Sequence, residues 1–181
     1  VEGAANFENT GRFISDAKLA PVSLKNPIYQ HRGRDWLVEA TLRDLFGEIE
    51  DPEELFRLSQ FLQWEGLRYI VESGRRRKFE CGGTIPWQFN EPWPNLFCSN
   101  SVDYYGDPKM AYYAVAKAYS PVHVSAKYRS LSVSPGETCG ADLFINNSGP
   151  ALEGCSLAWR VWTVDCVEIG SGESAVSVPE N

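Results

Sequence analysis

The sequence lacks a surplus of positive charge, and it lacks any long apolar run. Its 181 residues carry 17 Lys and Arg against 24 Asp and Glu, a net charge of −7 at pH 7. Because nucleic-acid-binding surfaces need clustered cations to attract phosphate, this balance disfavours a nucleic-acid partner. The one basic run, residues 75–78, follows a predicted helix, where cations meet the negative end of the helix dipole. Every apolar run is only a few residues long, so no membrane-spanning helix is predicted.

Metal-ligand spacing is also missing from the sequence. It contains two histidines and five cysteines, and no two cysteines form a Cys-x-x-Cys pair. Zinc sites draw on closely spaced cysteines and histidines, so we expect neither a metal ion nor another cofactor. The cysteine count excludes neither a disulfide bond nor free thiols. The five cysteines are Cys81, Cys98, Cys139, Cys155 and Cys166.

The first part of the chain carries helix signals. Residues 34–46 place apolar side chains at helical spacing, and Gly47 is a natural terminator. Asp51 can cap a second, longer helix with its side chain. Pro52 suits the first position of that helix, where an N–H would lack a partner. An apolar stripe predicts that this second helix continues to Gly74.

A strand and a third helix are predicted next. The segment KFECGGTIPWQF, residues 78–89, is short and apolar without clean alternation, as a strand buried on both faces would be. Pro86 cannot donate a ladder hydrogen bond, so we expect pairing to fail or bend there. Asp107 and Pro108 repeat the cap-and-proline signal, and residues 109–120 have the pattern of a helix. This succession of helix, strand, loop and helix is typical of one unit of an α/β barrel.

The composition changes in the last third of the chain. Residues 122–133, 137–147 and 155–165 alternate apolar and polar side chains between turn signals, which is a β-sandwich pattern. Only about 60 such residues are present, against about 100 in an immunoglobulin-like sandwich, so this second domain is expected to be incomplete. We therefore predict a barrel portion over residues 1–121 and a partial sandwich over residues 122–181.

The segment GGTIPWQFNEPWP, residues 82–94, is the strongest candidate for a binding site. In a parallel barrel, residues just past the C-terminal end of a strand face the mouth where ligands bind. Tryptophan faces pack against the C–H faces of sugar rings, whereas Asn and Glu bond to hydroxyl groups. The candidate sugar-binding residues are Trp87, Asn90, Glu91 and Trp93. The same tryptophans could instead plug the barrel end, and composition alone does not choose between the two roles.

Residues 82–122 resemble the last strand, mouth loop and last helix of the catalytic barrel in glycoside hydrolase family 2, with the β-mannosidase-like members most similar. Those members have the form Trp-Gln-Leu-Asn-Asp-x-Trp, then Ser or Asp, Tyr, Gly, Lys and a Tyr-rich helix. Phe89 and Glu91 are mild departures from that form. The matching residues are Trp87, Gln88, Asn90, Trp93, Asp103, Tyr104, Gly106, Lys109 and Tyr113.

The resemblance implies both a fold and a reaction. The implied fold is the C-terminal part of a (β/α)8 TIM barrel followed by a truncated immunoglobulin-like β-sandwich. Family members are retaining glycosidases, which use two carboxylates about 5 to 5.5 Å apart. The family takes its acid/base Glu from the fourth strand and its nucleophile from the seventh, and the resemblance places both before Val1. We therefore expect part of an exo-acting β-glycosidase, of the β-mannosidase type, that cleaves terminal β-linked sugars. This chain alone is expected to be inactive.

Within this resemblance the candidate residues take different roles. Trp87 resembles the tryptophan that walls the subsite of the cleaved sugar. Asn90 and Trp93 fit either sugar contact or loop scaffolding. The sequence around Glu91 matches the eighth strand rather than the fourth, so acid/base catalysis by Glu91 is not expected. Its expected role is to accept a hydrogen bond from a sugar hydroxyl or to fix the loop.

Three further points stay open at this level. A complete, non-catalytic carbohydrate-binding or interaction module is the alternative to a portion of an enzyme. The motif QHRG, residues 30–33, places His31 and Arg32 either at the barrel mouth or in a simple exposed loop. The sequon at residues 146–148 permits N-glycosylation in a secreted eukaryotic parent, although such short motifs also arise by chance.

Overall fold

The computed structural model describes residues 2–30 and 38–180, and the chain divides into two compact units. The first unit comprises Val1–Tyr119 with Ser130–Cys139, and the second comprises Ser120–Arg129 with Gly140–Asn181. The described helices belong to the first unit, whereas antiparallel strands make up the second, which gives a mixed α/β structure. The division into domains at residue 121 stays a prediction.

The described elements of the first unit are short, except for one long helix. The helices are α1 (Phe7–Thr10), α2 (Pro27–Gln30), α3 (Glu39–Phe46), α4 (Pro52–Arg76) and α5 (Met110–Ala118), with a 3-10 turn at Asp16–Lys18. The strands are β1 (Gly3–Ala4) and β2 (Phe97–Cys98), which pair antiparallel with each other. Strand β1 also packs against α4. Over the described ranges, none of the helices combines the length and the hydropathy that a membrane span requires.

Helix α4 begins where the sequence predicts. The Asp51 side chain accepts a hydrogen bond from the Glu54 N–H at 3.0 Å, and Pro52 lies in the first helical turn. The predicted end at Gly74 is wrong, because the helix continues past it. Gly74 instead allows Thr84 to lie close to the helix, since a Cβ at this position would be 2.5 Å from Thr84 Oγ1.

The other predicted helix boundaries have mixed outcomes. Helix α3 ends before Gly47, whose φ of +78° suits the predicted terminator. Its predicted start at Arg34 lies outside the described residues. The predicted cap of α5 at Asp107 is wrong, because Lys109 precedes the helix and makes no side-chain cap. Asp107 is engaged elsewhere, where its Oδ2 accepts a hydrogen bond from Asn9 Nδ2 at 2.7 Å.

The predicted buried strand at residues 78–89 does not form. The chain leaves α4 through turns in which Phe79 takes a left-handed φ of +74°, outside the strand region. In a strand buried on both faces the apolar side chains are buried, yet the Ile85 side chain is 95% exposed. Just beyond the segment, Asn90 and Val102 make an isolated parallel bridge. The strand prediction is wrong because no described strand lies alongside these residues to complete a ladder.

The apolar core of the first unit gathers aromatic side chains from several elements. Phe56 of α4 and Phe97 of β2 have ring centroids 5.4 Å apart, and Tyr29 of α2 lies 6.0 Å from Phe97. The Tyr29 hydroxyl donates to the Leu19 carbonyl at 2.6 Å. Burial raises the pKa of the Tyr29 phenol to about 12. The leucine stripe predicted for α4 is buried in the same core and includes Leu55, Leu58 and Leu62.

The second unit consists of two antiparallel strand pairs. Strand β3 (Val122–Lys127) pairs with β4 (Asp142–Asn147), and β5 (Leu152–Trp162) pairs with β6 (Glu168–Val178). The predicted strand character of this region is confirmed for β3, β4 and β5. Strand β6 was missed, because Gly170 and Gly172 interrupt its alternating pattern. Gly172 leaves room for the indole of Trp159, since a Cβ there would lie 2.7 Å from that ring.

Candidate functional site

The candidate segment Trp87–Trp93 is held by the connection between β2 and α5. The Ser101 N–H donates to the carbonyl oxygens of Gln88 and Phe89 at 3.1 and 3.0 Å. The Val102 N–H donates to the Phe89 carbonyl at 2.8 Å. The peptide bond that precedes Gln88 is cis. These backbone hydrogen bonds fix the segment although it belongs to no named sheet.

The predicted site residues all lie on this segment, but they do not all face outward. Trp87 is 78% exposed and Trp93 is 53% exposed, and Asn90 is exposed as well. Glu91 is only 4% exposed, and its Oε1 atom is inaccessible to solvent. The segment therefore presents two indole rings, the Phe89 ring and one amide to solvent, while its carboxylate is buried.

A buried lysine joins β1, β2 and the connection that follows β2. The fully buried Lys109 Nζ donates to the carbonyl oxygens of Gly3 at 2.9 Å and Cys98 at 3.1 Å. It also donates to Asn100 Oδ1 at 3.4 Å. Loss of hydration lowers the pKa of Lys109 to about 8, because burial disfavours the charged ammonium. The charge of Glu91 is the foremost of the groups that oppose this shift.

Asp103 is a second buried charged group beside the segment. Its Oδ2 accepts hydrogen bonds from Asn6 Nδ2 at 3.0 Å and Asn9 Nδ2 at 2.7 Å. Its Oδ1 accepts from the N–H groups of Tyr105 and Asp107, each at 3.0 Å. Hydrogen bonds to a charged group are among the stronger ones in proteins. This carboxylate therefore fixes the fold of the connection rather than facing a ligand.

Buried glutamines of α4 complete the frame around the segment. Gln63 Nε2 donates to the Asn100 carbonyl at 3.0 Å. Gln60 Nε2 donates to the Ala5 carbonyl at 2.9 Å, and its Oε1 accepts from the Met110 N–H at 3.0 Å. Sequence reasoning missed both residues, because glutamine on a helix ordinarily faces water. Their spacing of three residues, which puts them on one helix face, is the signal that could have found them.

The exposed side chains of the segment, and not its carboxylate, are the ones open to contact from outside. A retaining glycosidase needs two carboxylates about 5 to 5.5 Å apart and open to substrate, whereas Glu91 and Asp103 are both buried. The exposed indoles and amide offer stacking and hydrogen bonding instead. Within residues 2–30 and 38–180, no cluster of three or more His, Cys, Asp or Glu side chains could hold a metal ion.

The remaining sequence candidates have different outcomes. His31 and Arg32 lie outside the described residues. Asn146, the acceptor of the possible glycosylation motif, lies on β4 opposite His123. All five cysteines fall within the described ranges, and each is a free thiol there.

Comparisons with known proteins point to β-glycosidases. No family model matches the chain. Beta-mannosidase B of Aspergillus niger is 38% identical over 80 residues, which cover 42% of this chain and 9% of that protein. Beta-mannosidase B of Aspergillus flavus is 33% identical over 106 residues, covering 54% of this chain and 12% of that protein. The aligned part thus spans about a tenth of the length of these relatives.

Solved structures are similar along the whole chain. The β-D-mannosidase of Dictyoglomus thermophilum matches with a TM-score of 0.75 and 24% identity, over 100% of this chain and 22% of that one. The Amycolatopsis orientalis exo-chitosanase CsxA matches with a TM-score of 0.75 and 22% identity, over 99% of this chain and 21% of that one. At this identity the likeness establishes a shared fold. The chain is therefore related in sequence to β-mannosidases over about half of its length and shares its fold with the two solved enzymes.

Proposed function

We propose that this chain forms part of the sugar site in a retaining, exo-acting β-glycosidase of family 2, of the β-mannosidase type. The observation that carries the proposal is the exposure of Trp87 and Trp93 on either side of Asn90, in a chain that shares the fold of a β-mannosidase. In this proposal residues 1–121 close a TIM barrel and residues 122–181 belong to an immunoglobulin-like domain. The ligand is a terminal β-linked sugar.

The exposed side chains divide the work of binding a sugar. An indole ring offers a flat apolar face, which packs against the C–H face of a pyranose ring and shields it from water. Trp87 and Trp93 supply that face, and the Asn90 amide supplies both a donor and an acceptor for hydroxyl groups. Their exposure leaves them available to a ligand without disturbing the core.

Glu91 has the role of fixing the loop in this proposal. Its side chain is buried, and its charge favours the protonated form of Lys109. A buried carboxylate and a buried ammonium each cost much free energy when left without an opposite charge nearby. The two groups therefore hold the inner side of the segment, while the tryptophans serve its outer side.

The proposal is tested by titrating the 181-residue chain with methyl β-mannoside and following the indole NMR signals. Trp87→Ala is expected to weaken binding about tenfold, or roughly 1.4 kcal/mol, because the stacked sugar face returns to water. Trp93→Ala is expected to weaken it less, since Trp93 is the less exposed of the two rings.

A matched control comes from the second unit. Trp162 on β5 is 51% exposed, close to the 53% of Trp93, and it lies outside the candidate segment. Trp162→Ala should leave the mannoside affinity unchanged. Affinities that are the same in the wild type, Trp87→Ala and Trp93→Ala would rule out the proposed sugar wall.

Catalysis gives a second test with a different readout. Glu91 and Asp103 are buried, and the resemblance places both catalytic carboxylates of the family outside these 181 residues, so the 181-residue chain should not hydrolyse an aryl β-mannoside. Glu91→Gln should leave that result unchanged. Turnover that disappears in Glu91→Gln would instead make Glu91 a catalytic group and remove its loop-fixing role.

A non-catalytic carbohydrate-binding module is the second candidate. It is favoured by the buried apolar core that the first unit possesses. A self-contained module should unfold in one cooperative transition, with a midpoint that rises when mannoside is added. A portion of a barrel should instead bind a hydrophobic dye strongly, because the apolar faces of α3 and α4 would lack the strands that cover them in a whole barrel, and Phe46 and Phe61 on these helices are exposed.

A further inference from the structure

We propose that Lys109 is a positioning residue for the segment Trp87–Trp93: its buried ammonium ties β1 and β2 to the connection that holds Gln88 and Phe89. The proposal rests on the proposed function for the sugar-binding role of that segment. Lys109 touches no ligand in this scheme. It acts through the chain of hydrogen bonds described next.

The Lys109 ammonium donates hydrogen bonds to acceptors in three different parts of the chain. It bonds the Gly3 carbonyl of β1, the Cys98 carbonyl of β2 and the Asn100 side chain just after β2. A lysine ammonium has three N–H groups, so each acceptor can receive its own proton. The group therefore acts as a fixed junction between these elements.

The junction is linked to the segment by a short path. Asn100 Oδ1 accepts from Lys109, and Asn100 Nδ2 donates to the Val102 carbonyl. The Val102 N–H in turn donates to the Phe89 carbonyl. The Lys109 N–H also donates to the Ser101 carbonyl at 2.9 Å, and the Ser101 N–H donates to Gln88. Loss of the ammonium is therefore expected to loosen the backbone that carries Trp87.

Charged and titratable groups from each neighbouring part act on this ammonium. Glu91 of the segment, Cys98 of β2, Asp103 of the connection and Glu2 beside β1 all favour its protonated form. Burial outweighs them and lowers the pKa of Lys109 to about 8. Because a neutral amine has only two N–H donors, deprotonation leaves one of the three acceptors without its hydrogen bond. The positioning effect is thus expected to weaken as the pH rises through about 8.

The same pKa predicts the opposite trend for global stability. Between about 8 and the ordinary value of 10.5, the unfolded chain binds the Lys109 proton and the folded chain does not. Stability rises with pH wherever the unfolded state binds more protons. The contribution of Lys109 to the free energy of unfolding is therefore fully present above pH 10.5 and is lost as the pH falls through about 8. Loosening of the segment at alkaline pH is then a local change and not the start of unfolding.

The experiment compares the full wild-type chain with Lys109→Met, which keeps a long unbranched side chain and removes the charge. Lys117→Met is the matched control, because Lys117 is an exposed lysine of α5, the helix that Lys109 precedes. Amide hydrogen exchange at Ser101 and Val102 should become about 2- to 10-fold faster in Lys109→Met, the equivalent of one lost hydrogen bond. It should stay at the wild-type rate in Lys117→Met.

A pH titration of the wild-type chain keeps the proposal testable if Lys109→Met fails to fold. The Trp87 indole signal, assigned with Trp87→Phe, should shift with a midpoint near pH 8, and the shift should be absent in any folded Lys109→Met. A Trp87 signal that does not move between pH 7 and 9 overturns the proposal, as does wild-type exchange at Ser101 and Val102 in Lys109→Met.

Failure of the sugar-binding role gives a different result from failure of the positioning role. Exchange and indole shifts that behave as expected, with no mannoside binding, would leave Lys109 as the anchor of the segment and remove the proposed function. Mannoside binding that persists unchanged from pH 7 to 9, with a static Trp87 signal, would keep the proposed function and remove Lys109 from it.

Discussion

Two neighbouring stretches of the first unit are built in opposite ways. Residues 84–93 leave large apolar side chains in solvent, with Ile85 and Trp87 the most exposed among them. Residues 96–103 are buried throughout and are tied to distant elements by side-chain hydrogen bonds. The two stretches nevertheless share backbone hydrogen bonds, from Ser101 to the outer stretch.

The contrast separates the surface offered to a ligand from the frame that carries it. Replacing an exposed aromatic side chain lowers the free energy of unfolding only a little, because the side chain buries little area on folding. The buried stretch holds groups whose removal leaves a cavity or an unpaired polar atom. Substitutions in the outer stretch should therefore change binding with little change in stability, and substitutions in the inner stretch should do the reverse.

The largest expected effect comes from a matched pair of phenylalanine truncations. Phe97 is buried against Phe56 and Tyr29, so Phe97→Ala should lower the free energy of unfolding by about 3 to 5 kcal/mol. Phe89 is 65% exposed and its ring meets that of Tyr112 in a T-shaped contact, so Phe89→Ala should cost less than about 1 kcal/mol. Urea unfolding measures both values. Equal losses would show that the outer stretch is part of the core.

A pair of glycine substitutions should have the next largest effect. A Cβ on Gly3 would lie 2.4 Å from Gln63 Oε1, which means that β1 approaches α4 too closely for a side chain. Gly3→Ala should therefore destabilise the chain by about 1 to 3 kcal/mol. Gly82 has no atom within 4 Å of the same position, so Gly82→Ala should be nearly neutral. Thermal unfolding that shows the same midpoint for both variants would contradict this account of Gly3.

Local signals in the sequence were enough to find some elements. Asp51 and Pro52 mark the start of α4 because a cap acts within one turn of the helix. The alternation of apolar and polar residues predicted β3, β4 and β5, and it is also a local signal, because successive side chains of a strand point to opposite faces. The unusual composition of residues 82–94 supplied the candidate segment, the resemblance of residues 82–122 to a family added to it, and its sugar-binding role remains a proposal.

The frame behind the segment could not be found in this way. Lys109 bonds Gly3 across 106 residues, and Asn9 bonds Asp103 across 94 residues, so no local pattern connects them. The strand expected at residues 78–89 was wrong for a related reason, because a buried strand depends on neighbours that lie elsewhere in a fold. Contacts between residues far apart in the sequence therefore determine the frame and the conformation of residues 78–89, and composition and periodicity do not reveal such contacts.

The smallest expected effect on stability tests the contact that joins α4 to the outer stretch. Gly74→Ala should gain about 0.5 to 1 kcal/mol in helix propensity. It should lose a similar amount, because its Cβ would lie 2.5 Å from Thr84 Oγ1 and one of the two must move. The free energy of unfolding in urea should therefore barely change, whereas the Trp87 indole signal should shift as the outer stretch is displaced.

Thr84→Ala separates the two opposing contributions, since it removes the Oγ1 atom that the new methyl would meet. In the Thr84→Ala background, Gly74→Ala should stabilise the chain by the full propensity gain of about 0.5 to 1 kcal/mol. The Trp87 signal should then stay where Thr84→Ala alone puts it. An additive double-mutant cycle, with no coupling between the two sites, would mean that the outer stretch moves freely over α4. Strong coupling with a displaced Trp87 would mean instead that the exposed stretch takes its position from the helix beneath it.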